Sequence, residues 1–502
     1  MQEKGENRVK WYFRRGISYI LLLCMAFQMT ACSVLPVQES QSETAADPTQ
    51  SQSETAAEPT QSRPEVTIEP TQSLAPTPEP AVEPALTEAP QEEVHEDRIW
   101  VCLGGYDALE EKTARFFGNG LSARYQVVNA NTDEIVYEGT LIRVKYLEDA
   151  GEYYGEGDFS EVTRSGRYYI VCGENGQSAS FLIQENRREV VLSQLLSSAQ
   201  VQLYRVEERT PYQLMLLLLS YELYAELYET GSSQQIQILD IISTGVERLL
   251  MLEAENQEAE NQEADGEEEV DEEIEAVLDS YALAACLAKY GYVCSRYNRT
   301  LANQAYRQAE TYWTQAEQEL NSEQPISSVF RNLAAAELYR LTGRSRYKTV
   351  IDALTEAKTA PDELAGITYL FTPRRVNTKI CDRFMSHLMR RAEEAAGMVP
   401  ELWDLSRSEV TEEMLSDSLW GMMIMSVVEY AVSNEEYGSI LTEHYQFLYG
   451  KNADTLCYLK QDVRENPVWT AESVVLLSEI IVHQHDEIAV ISELTGLGDE
   501  QD

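Results

Sequence analysis

The stretch Asp158–Ile183, DFSEVTRSGRYYIVCGENGQSASFLI, decides the fold of this chain. Phe159 opens an apolar run and Ser165-Gly166 turn it. Arg167-Tyr168-Tyr169-Ile170-Val171-Cys172 is dense in aromatic and β-branched residues, which fit a pleated, half-buried surface. Glu174-Asn175-Gly176 supply a second turn into Ser180-Phe181-Leu182-Ile183. Together these read as the closing strands of a small β-sandwich.

Upstream, Ile99 to Leu103, Tyr125 to Val128, Ile135 to Tyr137 and Leu141 to Tyr146 read as further strands, with Asn129 to Glu134 as a turn-rich hairpin connection. Short strands spaced by turns place an all-β, Ig-like sandwich at residues 98–185. From about residue 189 the apolar period becomes helical. Leu214 to Leu219, with Tyr221, Leu223 and Leu227, is apolar nearly all round, as a helix buried on most sides requires. Ile236, Ile238, Leu239, Ile242, Val246, Leu249 and Leu250 mark a second helix. More are expected at 276–296, 300–320, 327–342, 346–358, 378–396, 411–432, 435–449 and 470–485, with Gly343 and Gly450 as stop signals. About ten helices on short connections imply an all-α toroid over residues 189–490.

The N-terminus reads as an address. Lys4, Arg8, Lys10, Arg14 and Arg15 precede an apolar run, Gly16 to Met29, too short to span a hydrocarbon core of roughly 30 Å comfortably. Met29-Thr30-Ala31-Cys32 resembles a bacterial lipobox, which implies removal of residues 1–31 and a lipidated Cys32 holding the protein to the cell membrane, outside the cytoplasm; a plain secretory signal is the alternative. SQSETAADPTQ at 40–50 recurs at 51–61 and, decayed, at 62–72. Prolines from Pro48 to Pro90 make residues 32–97 an extended, unstructured tether.

The net charge of −46 says little about partners. Residues 33–97 hold 14 acids against Arg63, and 253–275 hold 13 acids and no base, more than half the total. The latter segment is expected to be a solvated insertion. No basic stripe suits nucleic acid. Cys102, Cys172, Cys286, Cys294, Cys381 and Cys457 contain no CxxC pair, so no zinc cluster is expected. Cys102 and Cys172 are read either as a pair or as buried free thiols. His483-Gln484-His485 puts its two imidazoles on different sides of a helix, unsuited to one metal. No metal or cofactor is expected.

Several segments resemble family 9 glycoside hydrolases, the endo-β-1,4-glucanases or cellulases, with their N-terminal Ig-like domain. Asn129 to Leu141 is similar to the family's "DADTGEVVYEGTL", and Asp158 to Val171 to its "DFSEFTTPGTYYLEV". Leu218 to Leu223 resembles "LLAYEL", Leu333 to Gly343 "WAAAELYRATG", and Phe447 to Asn452 "YLLGRN". The resemblance implies an (α/α)6 barrel after the sandwich, and an inverting reaction in which one carboxylic acid protonates the leaving oxygen while a carboxylate opposite activates water.

Thr470-Ala471-Glu472-Ser473-Val474-Val475 resembles the family's "TNEVAINWN", which implies Glu472 as the general acid; a surface Glu in a first helical turn is the plain alternative. The base has no counterpart. Where the family carries "DAGDY", this chain runs from Val190 to Tyr212 without an Asp, leaving Glu207 and Glu208 as the nearby carboxylates. The "HHR" sugar-contacting motif is missing after Asn452, and Met422-Met423 stand where Ser-Asn should follow Trp420-Gly421. Trp313, Trp403, Trp420 and Trp469 lie in the helical part; Trp420 and Trp469 are candidate sugar-stacking residues, with core packing as the alternative. The expectation is a surface lipoprotein that binds or handles β-glucan or wall glycan, with hydrolysis lost. An active glucanase using Glu472 with an unrecognised base and a protein-interaction module are the alternatives.

Overall fold

A computed structural model describes residues 98–148, 151–173, 176–229, 237–251, 278–320, 328–405, 411–432, 435–458 and 466–495. The chain divides into two units, Met1–Val94 and His95–Asp502, and every described residue lies in the second. The signal, Cys32, the tether and the 253–275 insertion lie outside the described residues, as does the side chain of Trp403.

Among the described residues, nine strands form a sandwich: β1 (Ile99–Trp100), β2 (Tyr106–Asp107), β3 (Thr113–Gly118), β4 (Arg124–Asn129), β5 (Ile135–Thr140), β6 (Ile142–Leu147), β7 (Glu152–Asp158), β8 (Gly166–Val171) and β9 (Phe181–Gln184). One sheet runs β1-β3-β7-β6, the other β2-β9-β8-β4-β5. β8 pairs antiparallel with both β4 and β9, so the stretch that opened the reading sits near the middle of its sheet. The β4–β5 turn is closed by Asn129, whose N–H donates to Glu134 O at 2.9 Å and whose Oδ1 accepts from Asn131 N–H at 2.9 Å. Three strands were not legible from the sequence: β2, which is only two residues long, β3 and β7. In β3 all but Thr113 are buried, which erases alternation. β7 carries Gly155 and Gly157, and a Cβ at Gly157 would meet the Tyr125 ring at 2.6 Å.

The helices are α1 (Arg187–Gln202), α2 (Thr210–Leu223), α3 (Ala225–Glu229), α4 (237–251), α5 (Ser280–Val293), α6 (Arg299–Leu320), α7 (Arg331–Thr342), α8 (Ser345–Asp352), α9 (Ala360–Leu370), α10 (Thr378–Leu405), α11 (Glu412–Val432), α12 (Glu435–Leu448) and α13 (Pro467–Thr495). They alternate in kind. α2, α5, α7, α9 and α11 are buried almost all round, as is α13 from Thr470 to Val482, whereas helices such as α6 and α10 bury one face. α2 packs on α5, α5 on α7, α7 on α9, α11 on α13 and α13 back on α2. The result is an inner ring of six helices, each preceded by an outer one, an (α/α)6 barrel.

The sequence reading ran one helix through 346–358 and missed the next. α8 ends at Asp352, and α9 starts where Thr359 Oγ1 accepts from Asp362 N–H at 3.3 Å with Pro361 in the first turn. A proline there cannot continue the preceding helix but suits the start of a new one. Gly343 does stop α7, in left-handed backbone (φ 72°), with its N–H on Tyr339 O at 2.7 Å.

The sandwich docks on the barrel through buried polar contacts. Asp107 accepts from the first backbone amides of α1, Arg187 N–H at 2.6 Å and Arg188 N–H at 3.2 Å. Arg188 is buried between Glu110, Asp107 and the Tyr445 ring. Gly104 N–H donates to Tyr449 O at 3.0 Å. Cys102 and Cys172 are free: Cys102 Sγ faces Tyr449 O and Cys172 Sγ faces Arg124 O. Of the two readings, buried free thiols are what the structure shows.

Candidate functional site

The inner helices all turn their N-terminal ends to one cleft of about 860 Å3. Arg209 and Tyr212 from α2, Asp279 before α5, Phe330 before α7, Glu363 from α9, Trp420 from α11 and Glu472 from α13 reach it. These positions are far apart in sequence and are brought together because each lies at or near the start of an inner helix, Trp420 deepest, in the third turn of α11.

Glu472 lies in the second turn of α13, whose start is capped by Asn466 Oδ1, accepting from Val468 N–H at 3.2 Å. It is 4% exposed, which corrects the reading of a surface Glu in a first turn. Its Oε2 has no hydrogen-bond partner, and burial alone pushes its carboxyl up to about 8. Glu472 is therefore a neutral carboxylic acid at pH 7, the protonation state a proton donor needs.

The Tyr212 hydroxyl is also buried without a partner. Burial, and then the Glu472 and Glu363 carboxyls, push its phenol well above the usual tyrosine range, so it too stays protonated. Its ring stacks on Trp420 at 6.4 Å between centroids and meets Phe330 edge-on at 5.8 Å. Two residues that line the cleft thus each carry a buried polar atom without a partner.

The other buried carboxylate of the cleft is Glu363, which the sequence reading missed. Trp420 Nε1–H donates to its Oε2 at 2.5 Å. Its Oε1 takes His387 Nε2 at 2.6 Å and Arg391 Nε at 3.2 Å. Because Arg390 Nη2 can only donate, its contact with His387 Nδ1 at 3.1 Å leaves the imidazole proton on Nε2, facing Glu363. Glu363 is fully engaged and is no free base. Asp279 is engaged too, accepting from Tyr281 N–H at 2.8 Å, Ala282 N–H at 3.0 Å and Ser328 Oγ–H at 2.6 Å. Glu208, Glu412 and Asp417 line the cleft from exposed positions, and Glu207 does not line it. Among the described residues, no buried and unsatisfied carboxylate besides Glu472 lines the cleft.

Trp420 and Trp469 both line the cleft but are only 8% and 3% exposed, and Trp469 Nε1–H is held by Ser416 Oγ at 3.0 Å. They are wall, with a strip of ring open, rather than free stacking platforms. Trp313 packs between Tyr281 and Tyr347 away from the cleft. His483 and His485 do not line it either, and among the described residues no group of three or more His, Cys, Asp or Glu could hold a metal. The sequence signal for α9 was present in Thr359-Ala360-Pro361-Asp362-Glu363; nothing in it signalled the partners of Glu363.

The model of the cellulase N-terminal Ig-like domain matches residues 95–177. Solved structures match the chain along most of its length. A metagenome-derived glycoside hydrolase family 9 endoglucanase aligns at 15% identity and a TM-score of 0.60, over 76% of this chain and 98% of its own. A Bacteroides ovatus family 9 glycoside hydrolase aligns at 14% identity and 0.54, over 77% and 99%. AaCel9A, solved with a cellobiose-like isofagomine, aligns at 13% and 0.52, over 72% and 84%. No curated protein matches the chain. Residues 95–177 thus match the cellulase N-terminal Ig-like domain, and the helices that follow carry the fold of the family 9 endoglucanases.

Proposed function

We propose that this protein is a membrane-anchored lipoprotein that binds β-linked glucan or wall glycan in its barrel cleft and does not hydrolyse it. One observation carries the reading: the cleft holds a neutral, unsatisfied acid at Glu472 and no second buried carboxylate free to act as base. An inverting hydrolase needs both, on opposite sides of the bond and roughly 6.5–9.5 Å apart. Acid without base leaves a site that donates hydrogen bonds to sugar oxygens but does not activate water.

Three features support binding. The cleft is large enough for several sugar units, its walls are aromatic, and the buried, unsatisfied Glu472 and Tyr212 groups gain partners once a small side-chain movement opens them to a ligand. The cellobiose-like ligand of AaCel9A suggests the same ligand class here. The Met29–Cys32 motif supports the anchor, with the tether as spacer.

Calorimetry of the chain with cello-oligosaccharides, mixed-linkage glucan and peptidoglycan fragments tests the reading. Saturable heat with one of them is expected, and none with all three rejects it. A hydrolytic reading keeps Glu472 as acid and relies on Glu208, the exposed carboxylate of the α1–α2 turn that reaches the cleft. Reducing-sugar release that Glu472→Gln abolishes would establish it in place of the binding role. A protein-interaction role predicts a protein partner in cell-surface pull-downs and no heat with any glycan.

A further inference from the structure

At the end of the inner ring away from the cleft, the α5–α6, α7–α8 and α9–α10 turns adjoin. Arg374, in the α9–α10 turn, donates from Nε to Arg340 O at 3.0 Å and from Nη2 to Leu341 O at 2.8 Å, at the end of α7. Arg344, in the α7–α8 turn, donates from Nη2 to the Tyr306 hydroxyl of α6 at 3.3 Å. Residues 291–309, 338–351 and 364–381, these turns and their flanks, hold ten Lys or Arg and no acid, in a chain with 85 acids to 39 bases. Arg296, Arg299, Arg375 and Lys379 are exposed, and among the described residues none of them is in an ion pair. Most acids at the margin are taken. Asp240 accepts from the Tyr297 hydroxyl at 2.7 Å, Glu310 meets Arg344 and Arg346, and Asp352 meets Lys348 and accepts from Tyr369. Asp382 is exposed, with Arg383 next to it in sequence. Helix stability does not account for these cations. Arg299, Arg346 and Lys379 lie in the first turns of α6, α8 and α10, where the positive end of the helix dipole disfavours them, and no acid stands in those turns.

We propose that this end of the barrel docks on the anionic lipid surface to which the chain is tethered, and so holds the cleft away from the membrane. The inference rests on the lipid anchor at Cys32. With residues 33–97 as spacer, roughly 3 Å each when extended, every face of the folded body can reach the bilayer. The face that docks is the one whose local charge is attracted. At physiological salt an exposed charge is felt over about 8 Å, so the negative charge of the chain as a whole does not cancel attraction at a patch free of acids. Lipid phosphates are the chemistry that fits. The cations are spread over three turns, as an extended surface requires. Tyr297, 48% exposed between Arg296 and Arg299, adds an aromatic ring of the kind that settles at headgroup depth. Four such cations give an affinity of only about 1 mM in lipid. That is too weak to keep an untethered chain in a membrane fraction, and enough to orient a tethered one, which always meets lipid at high local concentration.

The test is co-sedimentation of the mature chain, residues 32–502 with Cys32→Ala so that no lipid on the protein contributes, with vesicles at about 1 mM lipid. Vesicles of phosphatidylglycerol and phosphatidylcholine are expected to carry it down at about 0.15 M salt and to release it at about 1 M, where screening shortens to about 3 Å. Vesicles of phosphatidylcholine alone are expected to leave it in solution. The combined variant Arg296→Glu, Arg375→Glu, Lys379→Glu is expected to bind at least about tenfold more weakly, with an unchanged unfolding temperature. Sedimentation with neither vesicle, with both equally, or undiminished in the variant overturns the proposal. Binding to soluble polyglycerol phosphate but not to vesicles overturns the membrane assignment and gives the patch to an anionic polymer. Failure of the anchor itself would appear in cells, as Cys32→Ala without effect on fractionation, and would leave these vesicle results unchanged.

Discussion

Trp420 Nε1 lies 2.5 Å from Glu363 Oε2, joining α11 to α9 at the mouth of the cleft. The bond ties together neighbours in the inner ring and occupies the one cleft carboxylate, besides Glu472, that burial could have turned to chemistry. Trp420→Phe keeps most of the ring packing against Tyr212 but removes a hydrogen bond to a charged group. It should lower stability to urea by about 1.5–3 kcal/mol. Unchanged stability would show that the bond holds nothing.

The raised Glu472 carboxyl makes stability pH-dependent in a definite direction. In the unfolded chain the group ionises near the ordinary glutamate value of 4.5; folded, it holds its proton to about 8. Between those values the folded state binds more protons, so this group's contribution falls as pH rises and levels off above about 8, by an amount on the order of a few kcal/mol. Glu472→Gln should flatten this slope, being more stable than the parent at pH 9 and similar at pH 4. Thermal unfolding of both proteins at the two pH values reads it out.

At the other end of the inner helices, Arg340 and Lys289 are buried against Glu222 and Glu337, and Arg340 also lies over the Tyr292 ring. Burial works to raise the Glu222 carboxyl, but Arg340 and Lys289 outweigh it and hold it down at about 2. Arg340→Met leaves two buried carboxylates to one lysine. A loss of about 3–5 kcal/mol is expected, with no change in ligand affinity at the remote cleft beyond that due to unfolding. A small loss would mean that water reaches the cluster.

The anchor makes a prediction of its own. Cys32→Ala removes the thiol that lipidation needs, so the chain should move from the membrane fraction to the soluble fraction of the producing cell. Retention of the variant in the membrane fraction would assign attachment to something other than a lipid on Cys32.

How far the sequence reached can be followed residue by residue. β8 and β9 lie where Arg167–Cys172 and Ser180–Ile183 were read, because aromatic and β-branched runs between turns leave few alternatives. β3 and β7 escaped, one because burial on both faces hides alternation and the other because glycines make room for Tyr125 and Phe116. Glu472 was reached by resemblance; its burial and its missing partner were not, since they depend on six helix ends meeting. Glu363 shows the limit most clearly. The capping signal in front of it was legible, but its partners His387, Arg391 and Trp420 come from 24, 28 and 57 residues away, on two other helices. No local period encodes such a contact.

A cleft that binds glycan and leaves it intact can be watched from within. Trp420 and Trp469 line that cleft, so intrinsic fluorescence reports its occupancy. The decisive measurement is a fluorescence titration of the chain with cello- and N-acetylated hexasaccharides, with each ligand recovered afterwards and its length determined. A saturable change is expected with at least one of them, lost in Tyr212→Ala, with the hexasaccharide recovered whole. No change with either ligand, or ligand recovered as shorter fragments, would contradict it.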